Sequence, residues 1–199
     1  SLKPEIPIPV FGSSIVKKFS NKVNTTNKLK VYKSNLPSKN CILSDVIKKN
    51  WYINIHTCRL NKLTPQLVIK YSSKPCHFYG KTKLVMAHGM YGFPTIDKGG
   101  LYGISNRDKY VILRDNIEDL SKLQKFFSTK TALYLFECTR YRMKYLEKYI
   151  FELIPDITKL DNFPEDINDE TIATYFGLSG EEKHAINSLH KKQYNYFEK

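Results

Sequence analysis

The sequence predicts an α+β fold, a mixed β-sheet domain with packed helices and a small C-terminal helical module, and three observations carry that expectation. Residues 83–114, KLVMAHGMYGFPTIDKGGLYGISNRDKYVILR, set two apolar runs with β-branched content around a Gly-rich centre, the pattern of a strand, a folded loop and a return strand. After Asn116 the apolar spacing changes to the helical period. Beyond Leu153 the chain turns acidic and is punctuated by Pro155 and Pro164 before two short helical signals.

In chain order, Pro4, Pro7 and Pro9 rule out a regular helix, so residues 1–12 read as an extended lead-in, the linker expected from a preceding domain. Residues 13–153 then form the α+β domain and 154–199 the helical module. A short helix is expected from residue 14 to 19, followed by a polar loop to Lys30 and a short strand at 29–32. Residues 37–40 make a turn, and 41–46 fit either period. The order WYINIH at 51–56 alternates as a strand; LVIKY at 67–71 is a second, after a turn at Pro65. Arg59, Asn61 and Lys62 fall on the connection between them.

Residues 83–88 and 110–113 are the strands of the central stretch. Asn116 caps a helix with Ile117, Leu120, Leu123 and Phe127 on one side, and Glu118 and Asp119 suit its first turn. A longer helix is expected over 131–149, its stripe made by Ala132, Phe136, Met143 and Leu146 and continued by Ile150, with Arg140, Arg142, Lys144 and Lys148 as a basic edge. In the terminal module a helix over 169–176 stops at Gly177. Ser179 with Glu182 forms a capping box for a last helix reaching about His190. Ile172, Phe176, Leu178, Ile186 and Leu189 are expected to pin this pair to the domain.

The net charge of +13 is unevenly spread. Residues 1–85 hold 16 Lys and Arg against 2 Asp and Glu, residues 86–150 hold 11 against 7, and residues 151–199 hold 5 against 10. So basic a region repels itself unless a polyanion relieves it, which points to nucleic acid as the partner. No apolar run is long enough to span a bilayer and no basic stretch has an apolar helical face, so no membrane partner is expected. Cys41, Cys58, Cys76 and Cys138 are widely spaced without a CxxC pair, which argues against a zinc knuckle and for free thiols in an intracellular protein.

Trp51, Tyr52, Tyr71, Phe78 and Tyr79 are interleaved with bases, a mixture suited to phosphates and flat rings, although each ring has core packing as its alternative. Phosphate contact is assigned to Lys48, Lys49, Arg59, Lys62 and Lys70. The Gly-rich centre supplies the base-reading candidates: Arg107 for guanine, Asn106 for adenine, Ser105 as a helper, and Tyr91 or Phe93 against a thymine methyl or a displaced base. Gly92, Gly99, Gly100 and Gly103 are expected to hold the loop shape. Asp97 and Asp108 are expected to orient Lys98 and Arg107, or to accept from cytosine; as a nuclease pair they would need to converge on a cation. There is no GxGxxG or GxxxxGK[ST] loop, no HExxH helix and no zinc-deaminase pattern.

Three segments together resemble a known family: 85–105 with its Gly-aromatic and Asp-Lys-x-Gly-x-Tyr-Gly-Ile-Ser order, Leu-Ile-Pro-Asp-Ile at 153–157, and 168–182 with Tyr-Phe-Gly-Leu-Ser-Gly-Glu-Glu. They resemble the C-terminal target-recognition domain of adenine-N6 DNA methyltransferases of phages, large DNA viruses and fused restriction-modification enzymes. The resemblance covers under half of the chain. It implies binding of double-stranded DNA beside a linked or associated catalytic domain that holds S-adenosylmethionine. The family's Asn/Asp-Pro-Pro-aromatic motif and glycine-containing cofactor loop are both absent here, so no catalytic residue and no bound cofactor are expected in this chain. Two other readings are a stand-alone basic nucleic-acid-binding protein of a virus or mobile element, and a scaffold whose basic face holds an acidic protein.

Overall fold

A computed structural model describes residues 11–61, 64–89, 94–139 and 145–189. They form a mixed α/β arrangement of two four-stranded sheets and packed helices, as expected from the sequence. Its elements are α1 (Gly12–Ser20), β1 (Tyr32–Lys33), β2 (Leu43–Ser44), β3 (Tyr52–Asn61), β4 (Thr64–Ser72), β5 (Lys83–Met86), β6 (Thr95–Asp97), β7 (Gly103–Ile104), β8 (Tyr110–Leu113), α2 (Ile117–Phe127), α3 (Lys130–Cys138), α4 (Asp169–Tyr175) and α5 (Gly180–Asn187). Two 3-10 turns, Lys148–Glu152 and Ile157–Lys159, lie between α3 and α4. No described helix is long and apolar enough to cross a membrane.

The inner sheet has the order β1-β8-β5-β6 and the outer sheet β2-β4-β3-β7. Alternation on the two central inner strands explains the layering, because successive residues of a strand face opposite sides. Leu84, Met86, Tyr110 and Ile112 belong to the large core shared with the helices, whereas Val85 and Val111 join Ile55 and Ile104 in the smaller core between the sheets. Being covered on both faces, β5 is buried throughout and β8 nearly so. The central stretch is therefore more than a strand, loop and return strand. It sends β5, β6 and β8 to the inner sheet and β7 to the outer one, where β7 pairs in parallel with β3.

The helices carry the expected caps. Asn116 accepts from the Glu118 amide at the start of α2, and both α4 and α5 begin with complete capping boxes at Asn168/Thr171 and Ser179/Glu182. The terminal helices are built into the main core: Phe19 of α1 stacks on Phe176 with ring centroids 3.8 Å apart, and Ile172, Ala173, Leu178 and Ile186 lie in the same cluster as Leu84 and Tyr110. Lys18 and Ser14 also reach the Glu182 carboxylate at 2.6 and 2.7 Å.

Two expectations are corrected. The helix expected over 131–149 does not run through: α3 ends at Cys138, and Tyr145 instead forms an antiparallel bridge to Gly89. The helical stripe remains in α3, and by Tyr145 the chain is in extended pairing with Gly89, three residues past β5. The stretch holding Arg59 and Asn61 is not a connection, since both lie on β3, paired with Gln66 and Thr64. Residues 1–10, Lys62, and the Arg140, Arg142, Met143 and Lys144 positions lie outside the described residues.

Candidate nucleic-acid interface

Charge is unevenly spread between two segments of the chain. Residues 34–82, which supply three strands of the outer sheet, hold eight Lys and Arg against one acid; residues 151–189, on the helical side of the inner sheet, hold two against nine. The one acid of the outer segment, Asp45, lies 3.5 Å from Lys70. Lys48 and Lys49 are exposed, and the Lys48 ammonium sits 4.7 Å from the centre of the Trp51 ring. Among the described residues Trp51, half-buried, belongs to neither apolar cluster, whereas Phe78 packs into the core between the sheets. Tyr79 is exposed and meets Tyr52 edge-on at 5.0 Å.

The β3–β4 hairpin is longer than its sheet. β7 pairs with β3 only at Asn54 and Ile55, and β2 pairs with β4 only at Tyr71 and Ser72. A register shift between Ile55 and Thr57 makes His56 a bulged residue, and beyond it, among the described residues, β3 and β4 pair only with each other. Cys58 and Leu67 still pack inward onto the core; three further pairs, ending at Asn61↔Thr64, extend the ribbon by roughly 10 Å at about 3.3 Å per residue. The backbone of Arg59 lies on this ribbon; its side chain, like Lys62, is outside the described residues.

At the ribbon's base, the parallel course of β7 beside β3 delivers the turn formed by residues 105–109. Ser34 clamps that turn: its amide donates to the Lys109 carbonyl at 2.8 Å, its hydroxyl donates to the Asn106 carbonyl at 2.7 Å and accepts from the Lys109 amide at 2.9 Å, and its carbonyl accepts from the Asp108 amide at 3.1 Å. Asp108 takes a left-handed φ of 66°, which Asp tolerates better than most residues. Its carboxylate is 2.8 Å from the Lys33 ammonium and 3.4 Å from Arg107 Nε, and the Lys33 hydrogen bond holds its pKa below the usual carboxylate range. The Lys109 ammonium, largely buried, donates to the Arg107 carbonyl at 3.2 Å; burial lowers its pKa, and Asp108 opposes that shift.

Arg107 is thus a well-supported turn residue whose side chain remains 69% exposed, and Asp108 is positioned to orient it. Asn106 is half-buried and its Oδ1 accepts from the Arg107 amide at 2.9 Å, so its amide group is partly used inside the turn. Ser105 is corrected as a base-reading candidate: it is 1% exposed and its hydroxyl sits 3.1 Å from His56 Nδ1. Burial, then Lys70 and Lys109, lower the His56 pKa and favour the neutral ring. Tyr91, Gly92 and Phe93 lie outside the described residues.

Among the loop-shape glycines, Gly100 has a φ of +65° and no room for a side chain, since an added Cβ would be 2.6 Å from the backbone of Gly80 and Lys81. At Gly103 the obstacle is Asn54 Oδ1, 2.3 Å from such a Cβ. Gly99 is different, meeting only the Leu101 side chain at ordinary contact distance. Asp97 does not orient Lys98: it is buried against Lys83 at 2.5 Å and accepts from the amides of Leu101 and Tyr102, each at 2.9 Å. Among the described residues no group of three His, Cys, Asp or Glu could hold a metal ion.

Three contributors escaped sequence reasoning. Lys33 and Ser34 support the Arg107 turn only because β1 pairs with β8, a contact spanning nearly eighty residues. Tyr145, expected on a helix, stacks on His88 at 4.6 Å and 9° beside this turn, and is 43% exposed. Nothing in the local pattern around any of them signals such a contact. In the comparisons with known proteins, no family model, curated protein or solved structure matches this chain.

Proposed function

We propose that this chain is a DNA-recognition module that grips double-stranded DNA with its outer sheet and the Arg107 turn. In this reading it serves as the target-recognition part of an adenine-N6 methyltransferase whose catalytic domain and S-adenosylmethionine site lie elsewhere. The observation that carries DNA binding is the basic excess of the outer-sheet segment, eight bases against one acid over residues 34–82. So basic a segment attracts a polyanion. The methyltransferase context rests on the sequence resemblance alone. Lys48, Lys49, Lys70 and the ribbon supply phosphate contacts, which fix orientation without reading sequence. Arg107, exposed on a turn that four Ser34 hydrogen bonds hold rigid, is the group suited to a base edge.

The test is fluorescence anisotropy of the chain with a labelled duplex at several salt concentrations. For about six phosphates contacted, log K against log salt should fall with a slope of roughly −5 to −6. No binding at low salt, or binding insensitive to salt, would reject the reading. Calorimetry with S-adenosylmethionine alone should show no saturable heat.

A further inference from the structure

Cys41 and Cys76 are 35 residues apart in sequence, yet their sulfurs lie 3.9 Å from one another. Cys41 is half-buried just before β2, and Cys76 is buried just after β4. The two stretches are already joined by hydrogen bonds. The Ile42 amide donates to Ser73 Oγ at 3.0 Å, the Ser73 amide returns to the Ile42 carbonyl at 3.0 Å, and the Cys41 thiol points to the Lys74 carbonyl at 3.7 Å. Next along the ladder, Leu43 pairs with Ser72. Cys76 also abuts Gly103, the start of the strand that leads into the Arg107 turn.

We propose that Cys41 and Cys76 form a dithiol modification site, which a small-molecule disulfide such as oxidised glutathione converts into an intramolecular disulfide. The oxidation would staple the edge of the outer sheet to the loop that supports β7. A disulfide needs its sulfurs about 2.05 Å apart, so the pair must close by roughly 1.9 Å. Cys41 sits on a turn rather than in a strand, its amide bonded to the Ser38 carbonyl at 2.9 Å, and side-chain rotation there with a small shift of the turn supplies the movement.

The order of steps follows from accessibility. Burial pushes the Cys76 thiol up to about 11, so Cys41 is the first nucleophile. Its thiolate attacks one sulfur of oxidised glutathione; the Cys41–glutathione bond forms, the glutathione S–S bond breaks, and the departing thiolate takes up a proton. Cys76 then loses its proton and attacks the Cys41 sulfur, forming the Cys41–Cys76 bond and expelling the second glutathione as a thiol. Two protein thiols are oxidised and one small disulfide is reduced to two thiols. Cys58, on β3, and Cys138, at the end of α3, are not part of the pair.

The test treats the folded chain with oxidised glutathione, quenches with acid, and reads intact mass, a non-reducing peptide map and a thermal melt. The expected product has lost two hydrogens, contains a peptide linking Cys41 to Cys76, and reverts with dithiothreitol. Its Tm should rise by on the order of 10 °C, because the link closes a long loop of the unfolded chain. Cys41→Ser should abolish link and Tm gain together, while Cys58→Ser should retain both. A glutathione adduct that persists on Cys41 without closure, a bridge between other cysteines or between molecules, or thiols that stay unreacted would each overturn the proposal. The peptide map of the unmodified chain decides the matter even if Cys41→Ser fails to fold.

Discussion

Replacing Lys83 with Met should destabilise the fold more than any surface change. The Lys83 side chain is fully buried, and its ammonium has three donors for three acceptors: Asp97 Oδ2 at 2.5 Å, the Lys81 carbonyl at 3.0 Å and the Phe78 carbonyl at 3.1 Å. Methionine fills much of the same volume but leaves the Asp97 carboxylate without the Lys83 counter-charge and takes a donor from the Lys81 and Phe78 carbonyls, the second of which keeps the Lys81 amide at 3.3 Å. Breaking a buried pair from one side costs about 3–5 kcal/mol, most of it the penalty of the abandoned charge. For a chain of this size roughly 2–4 °C of Tm accompanies each kcal/mol, so the melt should drop by about 6–20 °C. The double variant Lys83→Met/Asp97→Asn removes the stranded charge while keeping an acceptor for a loop amide. It should therefore be more stable than Lys83→Met alone by at least about 1 kcal/mol. Urea unfolding of the unmodified chain, Lys83→Met, Asp97→Asn and the double variant, with the slopes compared, measures both quantities. A loss under 1 kcal/mol for Lys83→Met, or strictly additive losses in the double variant, would refute the argument.

Gly100→Ala combines left-handed strain with a clash against the backbone of Gly80 and Lys81, and should cost about 2–4 kcal/mol by chemical unfolding. Gly80→Ala meets nothing within 4 Å and should cost only the strain, roughly 1 kcal/mol; equal losses at the two positions would contradict the steric account. Arg107→Ala should weaken binding to a preferred duplex by about 1–3 kcal/mol and unrelated DNA much less, as read by selection from randomised duplexes; an unchanged preferred site would remove Arg107 from recognition. Burial holds the His56 and His88 pKa values below the usual 6.5, aided by Lys70 and Lys109 at His56 and opposed by Asp108 at His88. The unfolded chain thus takes up protons first, so the stability of the neutral rings is present above pH 6.5 and lost as pH falls through the lower folded values. Melts taken from about pH 7.5 to about pH 5 should show a falling Tm that His56→Gln/His88→Gln flattens, and a Tm that holds steady in the unmodified chain would count against this.

Local chemistry was legible in the sequence wherever neighbours along the chain decide the outcome. The Asn116 cap and the Ser179/Glu182 capping box form as read, because each is a bond between residues two or three apart. The strands at 83–86 and 110–113 and the basic character of residues 34–82 were equally readable, being matters of residue type and alternation. What crosses the chain was not. Sequence alone placed Asp97 beside Lys98, whereas the pleat of the inner sheet turns it onto Lys83, fourteen residues away. It counted Ser105 among the readers, although the register of β7 beside β3 buries that hydroxyl against His56. It saw four scattered cysteines, and the pairing of β2 with β4 brings two of them to 3.9 Å. Register and layer order arise from many long-range contacts acting together, and no window of sequence contains them. That is why the basic character of the chain could be read from composition, while the residues that come together on one face were decided only when the sheets were stacked.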